Sequence, residues 1–403
     1  MKFRFWFSLI LVFFILFPVI LAISTVQNTI DGNKVTLTYK GTPPFYINIR
    51  PDKDIGQDGG YFWAKTNLDT FTLDVSFAIN PSKKFYYGVK DTKWSKIDTF
   101  TIANNKLADN VFVVMADNTT LSPLGEVQTT VVTKKFYKNN PDKFDFLAIL
   151  TAFPSNNDYD FANKIKSDIK GLGPCIGIYD SSLGYGSSGK LRGTVVIHDI
   201  DQYTNTTGDL LHELSHFWLM YVCNIDEDKS LWISPGGGHW SPFVDTSVRI
   251  DGKVYMSPNG GNPWRDNGDG TFSVDTKDVP SVSGSSVGWL RFNSIELYLM
   301  GFLPKSEAKP IYMIVTNYTN IQNLSPPISG WKKTIYIDDI VKIAGEREPS
   351  FPNTQRNFNV AFILLTRNGK EPTDDQISKI NWIANNFPME WSIATQNKSS
   401  INQ

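Results

Sequence analysis

The pattern of apolar and polar positions divides the chain into three stretches. Residues 5–23 carry no charge, behind a short basic lead of Lys2 and Arg4. That run is close to the roughly 18 apolar residues that span a bilayer. The small residues Ala22 and Ser24 suit a signal-peptidase site. A cleaved signal peptide over 1–24 and a membrane tether through 5–23 both fit, and each predicts export of the remainder. From 25 to 104 apolar positions alternate, or gather as β-branched residues, at 34–39, 45–49, 70–76, 85–89 and 97–102. Turn residues separate these runs, so this stretch reads as an all-β unit.

From 105 to 403 the period changes. Strands are expected at 111–115, 127–132, 144–150 and 193–199, with a helix over 158–169 closed by Gly171. A second helix surrounds 206–221, where Leu210, Leu211, Leu214, Phe217 and Trp218 give apolar faces. Residues 234–290 are rich in Gly, Pro, Asn and Ser and read as loops. A helix over 293–302, strands near 311–315, 333–337 and 358–366, and a closing helix complete the pattern. That last helix opens on a capping box, Thr373 with Gln376, and carries the stripe Ile377, Ile380, Ile383 and Ala384. The fold class expected is α+β: an N-terminal β-sandwich, then a mixed α/β domain.

Composition narrows the function. The formal net charge is −1, with no basic run to form a nucleic-acid face, so that partner class is not expected. Cys175 and Cys223 are the only cysteines; in an oxidising compartment they can pair, and as two buried thiols they can remain apart. Sequons at Asn118, Asn205, Asn317, Asn323 and Asn397 agree with export.

The chemistry concentrates in histidine. The chain has four, and His212, His216 and His239 lie within one short stretch. His212, Glu213 and His216 form H-E-x-x-H on the expected helix. Positions i and i+4 share a helix face, so both imidazoles can meet one Zn²⁺. Glu213, offset by about 100°, can reach a water on that metal as general base. A catalytic zinc needs a third protein ligand and an open position. His239, in a glycine-rich turn, is one candidate. Glu296, the only charge in an apolar helical segment, is the other; failing that, it would orient an imidazole from behind. His198, on the strand before the helix, is more commonly a structural histidine, and either it or Tyr298 can be imagined near a developing oxyanion. The strand 193–199 is expected to pair with an extended substrate.

Several resemblances follow from these residues. Residues 80–102 resemble the last two strands of a fibronectin type III-like or immunoglobulin-like sandwich, with a tyrosine in the penultimate strand, which implies a spacer or binding module. The metzincin pattern fails, because Leu219 and Val222 stand where its glycine and third histidine belong. H-E-x-x-H-x-W also resembles the start of an aminopeptidase motif, but Pro235 occupies the position of that family's glutamate ligand. The stretch 145–400 resembles a group of exported bacterial and archaeal proteins with the zincin motif. The resemblance is carried by YGSSGKL at 185–191, HELSH at 212–216, GHWS at 238–241, GGN at 260–262 with Trp264, and ELYLMG at 296–301. It implies a secreted or surface-anchored zinc metallopeptidase acting on peptide or protein substrates. The competing expectation is a cell-surface binding or adhesion protein with a structural or vestigial zinc site.

Two other motifs read differently. GYGSSGKL at 184–191 imitates a phosphate-binding loop but has Leu191 where Ser or Thr should hold Mg²⁺, and a strand follows. Asp266 to Thr271 can offer oxygens to Ca²⁺, yet its two Asx-Gly pairs are also ordinary hairpin turns.

Overall fold

The computed structural model describes residues 26–31, 34–50, 53, 55, 62–74, 84–91, 93–101, 107–156, 160–201, 206–219, 221, 238–275, 290–317 and 326–402. The expected segment 1–24, Cys223 and the sequons at Asn205 and Asn323 lie outside them. Among the described residues no helix is long and apolar enough to cross a membrane. The architecture is mixed α and β. The chain divides into two compact units, the described residues up to Thr101 forming one and those from Leu107 onward the other.

The first unit has seven strands: β1 (Val26–Asp31), β2 (Lys34–Tyr39), β3 (Phe45–Arg50), β4 (Phe62–Thr66), β5 (Thr70–Asp74), β6 (Lys84–Lys90) and β7 (Asp98–Thr101). They form two antiparallel sheets, β1-β2-β5 and β4-β3-β6-β7. Period-2 alternation buries Val35, Leu37 and Tyr39 from one sheet and Phe45, Ile47, Ile49, Phe85, Tyr87 and Val89 from the other. The sheets meet through Tyr39 against Phe45, centroids 4.7 Å apart, and through Asn28 Nδ2 donating to the Tyr87 hydroxyl at 2.9 Å. Strands β1 and β4 were not among those expected.

The second unit begins with β8 (Val111–Met115), α1 (Thr129–Asn139), β9 (Phe146–Thr151), β10 (Phe161–Lys164), the short pair β11 (Lys166–Ser167) and β12 (Tyr179–Asp180), then β13 (Gly193–Ile197) and α2 (Thr206–Leu219). Short strands follow: β14 (Trp240–Asp245), β15 (Val248–Ile250), β16 (Lys253–Tyr255), β17 (Gly260–Asn262), β18 (Trp264–Asp266) and β19 (Thr271–Val274). The chain closes with α3 (Ser294–Met300), β20 (Ile311–Val315), β21 (Ile328–Ser329), β22 (Trp331–Ile335), α4 (Ile337–Ala344), β23 (Asn357–Thr366), α5 (Asp374–Ala394) and β24 (Ser400–Asn402).

A six-stranded sheet organises this unit in the order β10-β13-β9-β23, with β8 and β24 both on the far side of β23. All its neighbours run parallel except β10, which is antiparallel to β13 and lies at the edge. Both faces are covered, so the strands are continuous apolar runs. Phe146, Ala148 and Leu150 of β9 join one core with α2, α3 and α5, whereas Leu147 and Ile149 join a second with Val132 and Phe136 of α1.

Three expectations are corrected here. Residues 129–139 form helix, not strand, because Thr129, Val132, Thr133 and Phe136 repeat at helical spacing and their buried stripe outweighs β-branched propensity. The helix expected over 158–169 is absent over its described part: residues 161–164 form a strand because β13 offers an unpaired edge that captures them, and residues 166–167 pair with β12 in a separate two-stranded ribbon. Residues 240–274 are not largely loop but carry six strands of three to six residues, too short for a readable period. The Thr373 capping box forms as expected, with both reciprocal bonds.

Candidate metal centre

Helix α2 is fixed from below by its apolar stripe. Leu210, Leu211, Leu214, Phe217 and Trp218 are all buried in the core beneath the sheet. Phe217 packs on Phe146 with centroids 4.8 Å apart, and this approach requires Gly193, whose absent Cβ would lie 1.9 Å from Phe217 Cε1. Lys164 of β10 reaches across to donate to the Phe217 carbonyl at 2.7 Å, tying the last turn of α2 to the edge strand.

This leaves His212 and His216 one turn apart on the same face, rings 4.6 Å centroid to centroid. His239 enters from the turn before β14, where Gly238 takes a φ of 118°. Its Nε2 is 2.9 Å from His212 Nε2, and His216 Nε2 is 3.1 Å from the same atom. One ligand atom from each of the three lies within 4.8 Å of the others, and among the described residues this is the only such group of three or more histidine, cysteine or acidic side chains. A tetrahedral ion held by bonds of ~2.0–2.1 Å would space its nitrogens by about 3.3 Å, close to what is seen. The cluster can therefore hold a metal ion.

The environment favours the neutral imidazole that coordinates. Burial pushes His216 down to about 3, with His212 and His239 adding to the effect. Burial also lowers His212 and His239. His212 Nδ1 donates to the Pro258 carbonyl at 2.7 Å, which fixes the tautomer with its lone pair on Nε2, toward the other two rings.

Glu213 stands at the side of the cluster, Oε1 3.8 Å from His212 Nε2. Burial raises its carboxyl to about 8, with Asp160 and Asp209 adding and the Ala162 N–H of the edge strand opposing. Asp160 also holds His198: its Oδ1 lies 2.7 Å from His198 Nδ1 and accepts the His198 backbone N–H at 3.0 Å. Asp160 is thus shared electrostatically between His198, Glu213 and His212.

The structure brings His212, Glu213, His216 and His239 together and leaves Glu296 outside the cluster. Glu296 is fully buried but accepts from Trp240 Nε1 at 2.8 Å, Ser257 Oγ at 2.6 Å and Asn293 N at 2.8 Å. These are indole, hydroxyl and amide donors; no imidazole bonds to it, contrary to expectation, because α3 uses it in a capping box with Asn293. Tyr298 is also excluded, since its hydroxyl bonds to Glu346 and to the Arg347 amide. Strand β13 is not an edge: β10 and β9 flank it, so no substrate can pair with it. Sequence reasoning missed Asp160, Ala162, Pro258 and Ser257. Three of these act partly or wholly through backbone groups or through strands that were not foreseen.

No protein-family model matches the chain, and no curated protein matches it. Of the remaining motifs, Lys190 pairs with Asp145 at 2.7 Å, and Ser187 bonds to Asp142, so the loop resembling a phosphate cradle braces the sheet instead. Asp266 and Asp269 are turn residues of the β18–β19 hairpin, accepting from Gly268 N and Thr271 N, and Lys332 neutralises Asp266 at 2.9 Å, which disfavours Ca²⁺ there. Cys175 is disulfide-bonded; the chain's other cysteine, Cys223, lies outside the described residues.

Proposed function

We propose that this protein is an exported zinc-dependent metallopeptidase whose catalytic unit is zincin-like. The convergence of three imidazole Nε2 atoms beside the Glu213 carboxylate carries the reading. A three-nitrogen donor set suits Zn²⁺, and no fourth histidine, cysteine or acidic group joins it among the described residues, which leaves a coordination position for water. Bound by His212, His216 and His239, zinc would act as a Lewis acid toward the scissile carbonyl and acidify a water.

The chain's own residues account for the remaining work. A cation held by the three histidines would offset the burial that raises Glu213 and keep it ionised; Glu213 then takes the proton of the attacking water and returns it to the leaving amine, and the Ala162 N–H aims its carboxylate. His198, held by Asp160, serves the developing oxyanion in place of the rejected Tyr298. The outer edge of β10, rather than β13, receives an extended substrate backbone. The split of the N-terminal strands into β1-β2-β5 and β4-β3-β6-β7 supports a fibronectin type III-like sandwich, a spacer or binding module. Export rests on the uncharged run 5–23 and is consistent with the disulfide at Cys175.

Metal analysis of purified protein, with peptide-library hydrolysis by wild type and Glu213→Gln, tests this. Both forms should hold one zinc, and the variant should be slower by ~10²–10⁴-fold. Stoichiometric zinc in both with cleavage by neither would leave the alternative, a binding protein with a structural or vestigial site.

A further inference from the structure

We infer that Glu296 is a positioning residue of the metal centre, acting through Trp240 on His239 and through Ser257 on the carbonyl that orients His212. The inference rests on the three histidines binding a metal and goes beyond which residues ligate it.

Glu296 has no exposure, and a carboxylate so placed is tolerable only when its oxygens are satisfied. The α3 cap uses one of them, Oε2, for the Asn293 N–H. Oε1 takes two further donors from outside α3, the Trp240 indole at 2.8 Å and the Ser257 hydroxyl at 2.6 Å. Trp240 directly follows His239 in the chain and is itself pinned by its N–H to the Asn259 carbonyl at 3.0 Å. Ser257 directly precedes Pro258, and its oxygen also accepts the Asn259 N–H at 2.9 Å, closing a tight turn around the Pro258 carbonyl. That carbonyl receives His212 Nδ1 at 2.7 Å. One oxygen atom therefore fixes both the segment that delivers His239 and the acceptor that sets the rotation and tautomer of His212.

Glutamine cannot replace this arrangement. Three donors converge on two carboxylate oxygens, whereas an amide offers one oxygen and one NH₂ group. Either orientation of a glutamine amide at this position sets a donor against a donor.

The test compares zinc and cobalt binding by wild type, Glu296→Gln and Trp240→Phe, the last removing the indole donor while keeping an aromatic ring. Zinc affinity is read by chelator competition, the cobalt form by its visible spectrum, and the metal-free proteins by thermal melting. Both variants should bind zinc about 10–100-fold more weakly. Their cobalt spectra should change in band position or intensity. In a His239→Ala background the Glu296→Gln loss should shrink, since one of its two routes is gone. Lower melting of the metal-free protein with unchanged zinc affinity and cobalt spectrum would overturn the inference while leaving the metal site intact. If Glu296→Gln does not fold, Trp240→Phe alone decides by the same two readouts. A wild type that binds neither ion refutes the metal reading and this inference with it.

Discussion

Replacing Gly193 by alanine places a methyl group 1.9 Å from Phe217 Cε1, 2.2 Å from its Cζ and 2.8 Å from the Asn163 carbonyl oxygen. Ordinary carbon–carbon contact is ~3.5–4.0 Å, so the ring must retreat by about 1.6 Å or the strand must move. Neither is easy. The ring is 3% exposed and packed at a tilt against Phe146, and the carbonyl belongs to β10, paired with β13 at this position. Overpacking of this kind costs ~1–3 kcal/mol, and a simultaneous clash with ring and backbone belongs at the upper end, about 3 kcal/mol. The strain also has a functional direction, because Phe217 follows His216 on α2 and a displaced ring rotates or lifts the helix that carries two of the three imidazoles.

Urea denaturation of the metal-free protein, followed by near-ultraviolet circular dichroism, measures the stability term, and chelator competition measures zinc affinity. Phe217→Leu gives the control. Alone it loses packing on Phe146, but combined with Gly193→Ala it makes room for the methyl group. The pair should therefore be less destabilising than the sum of the single changes by at least about 1 kcal/mol. A Gly193→Ala protein within about 0.5 kcal/mol of wild type, or strict additivity with Phe217→Leu, refutes the reasoning, because either means that α2 does not rest on this strand as described.

Two further outcomes concern His198 and Glu390. His198→Asn should keep its zinc and its KM for a cleaved peptide while kcat falls ~10²-fold, as expected for losing an oxyanion partner; unchanged kcat removes His198 from the mechanism. Glu390, 1% exposed on α5, is raised by burial from its ordinary 4.5 to about 7, with Arg291 and the Thr207 hydroxyl opposing. The unfolded chain releases this proton first, so folded stability falls as pH rises from 4.5 to about 7 and is level above. Glu390→Gln should match wild type in stability near pH 4 and exceed it by up to about 3 kcal/mol near pH 8. A difference that does not vary with pH contradicts this.

What the sequence disclosed and what it withheld have a common physical cause. Helix α2, its two histidines and the Thr373 box are local: i to i+4 spacing and a cap within three residues fix them, so they can be read without the fold. Strand β10 is the opposite case. Phe-Ala-Asn-Lys has no strand pattern, and it becomes one because β13 has a free edge about 30 residues further on. Asp160 and the Ala162 amide were lost with it. The Pro258 carbonyl had no sequence signature, since every residue carries one. Glu296 shows where the boundary falls. A single carboxylate in an apolar helix states that its charge must be met, and a metal ion or a set of hydrogen-bond donors meets it equally well. The donors that do so lie 56 and 39 residues upstream, on segments whose pairing creates the site, while the third imidazole arrives from the residue beside one of them. The two candidates for third ligand were thus parts of one arrangement. His239 faces the cluster because Glu296 holds its neighbour, so the carboxylate's need for partners and the metal site's need for a third nitrogen are satisfied by the same few residues.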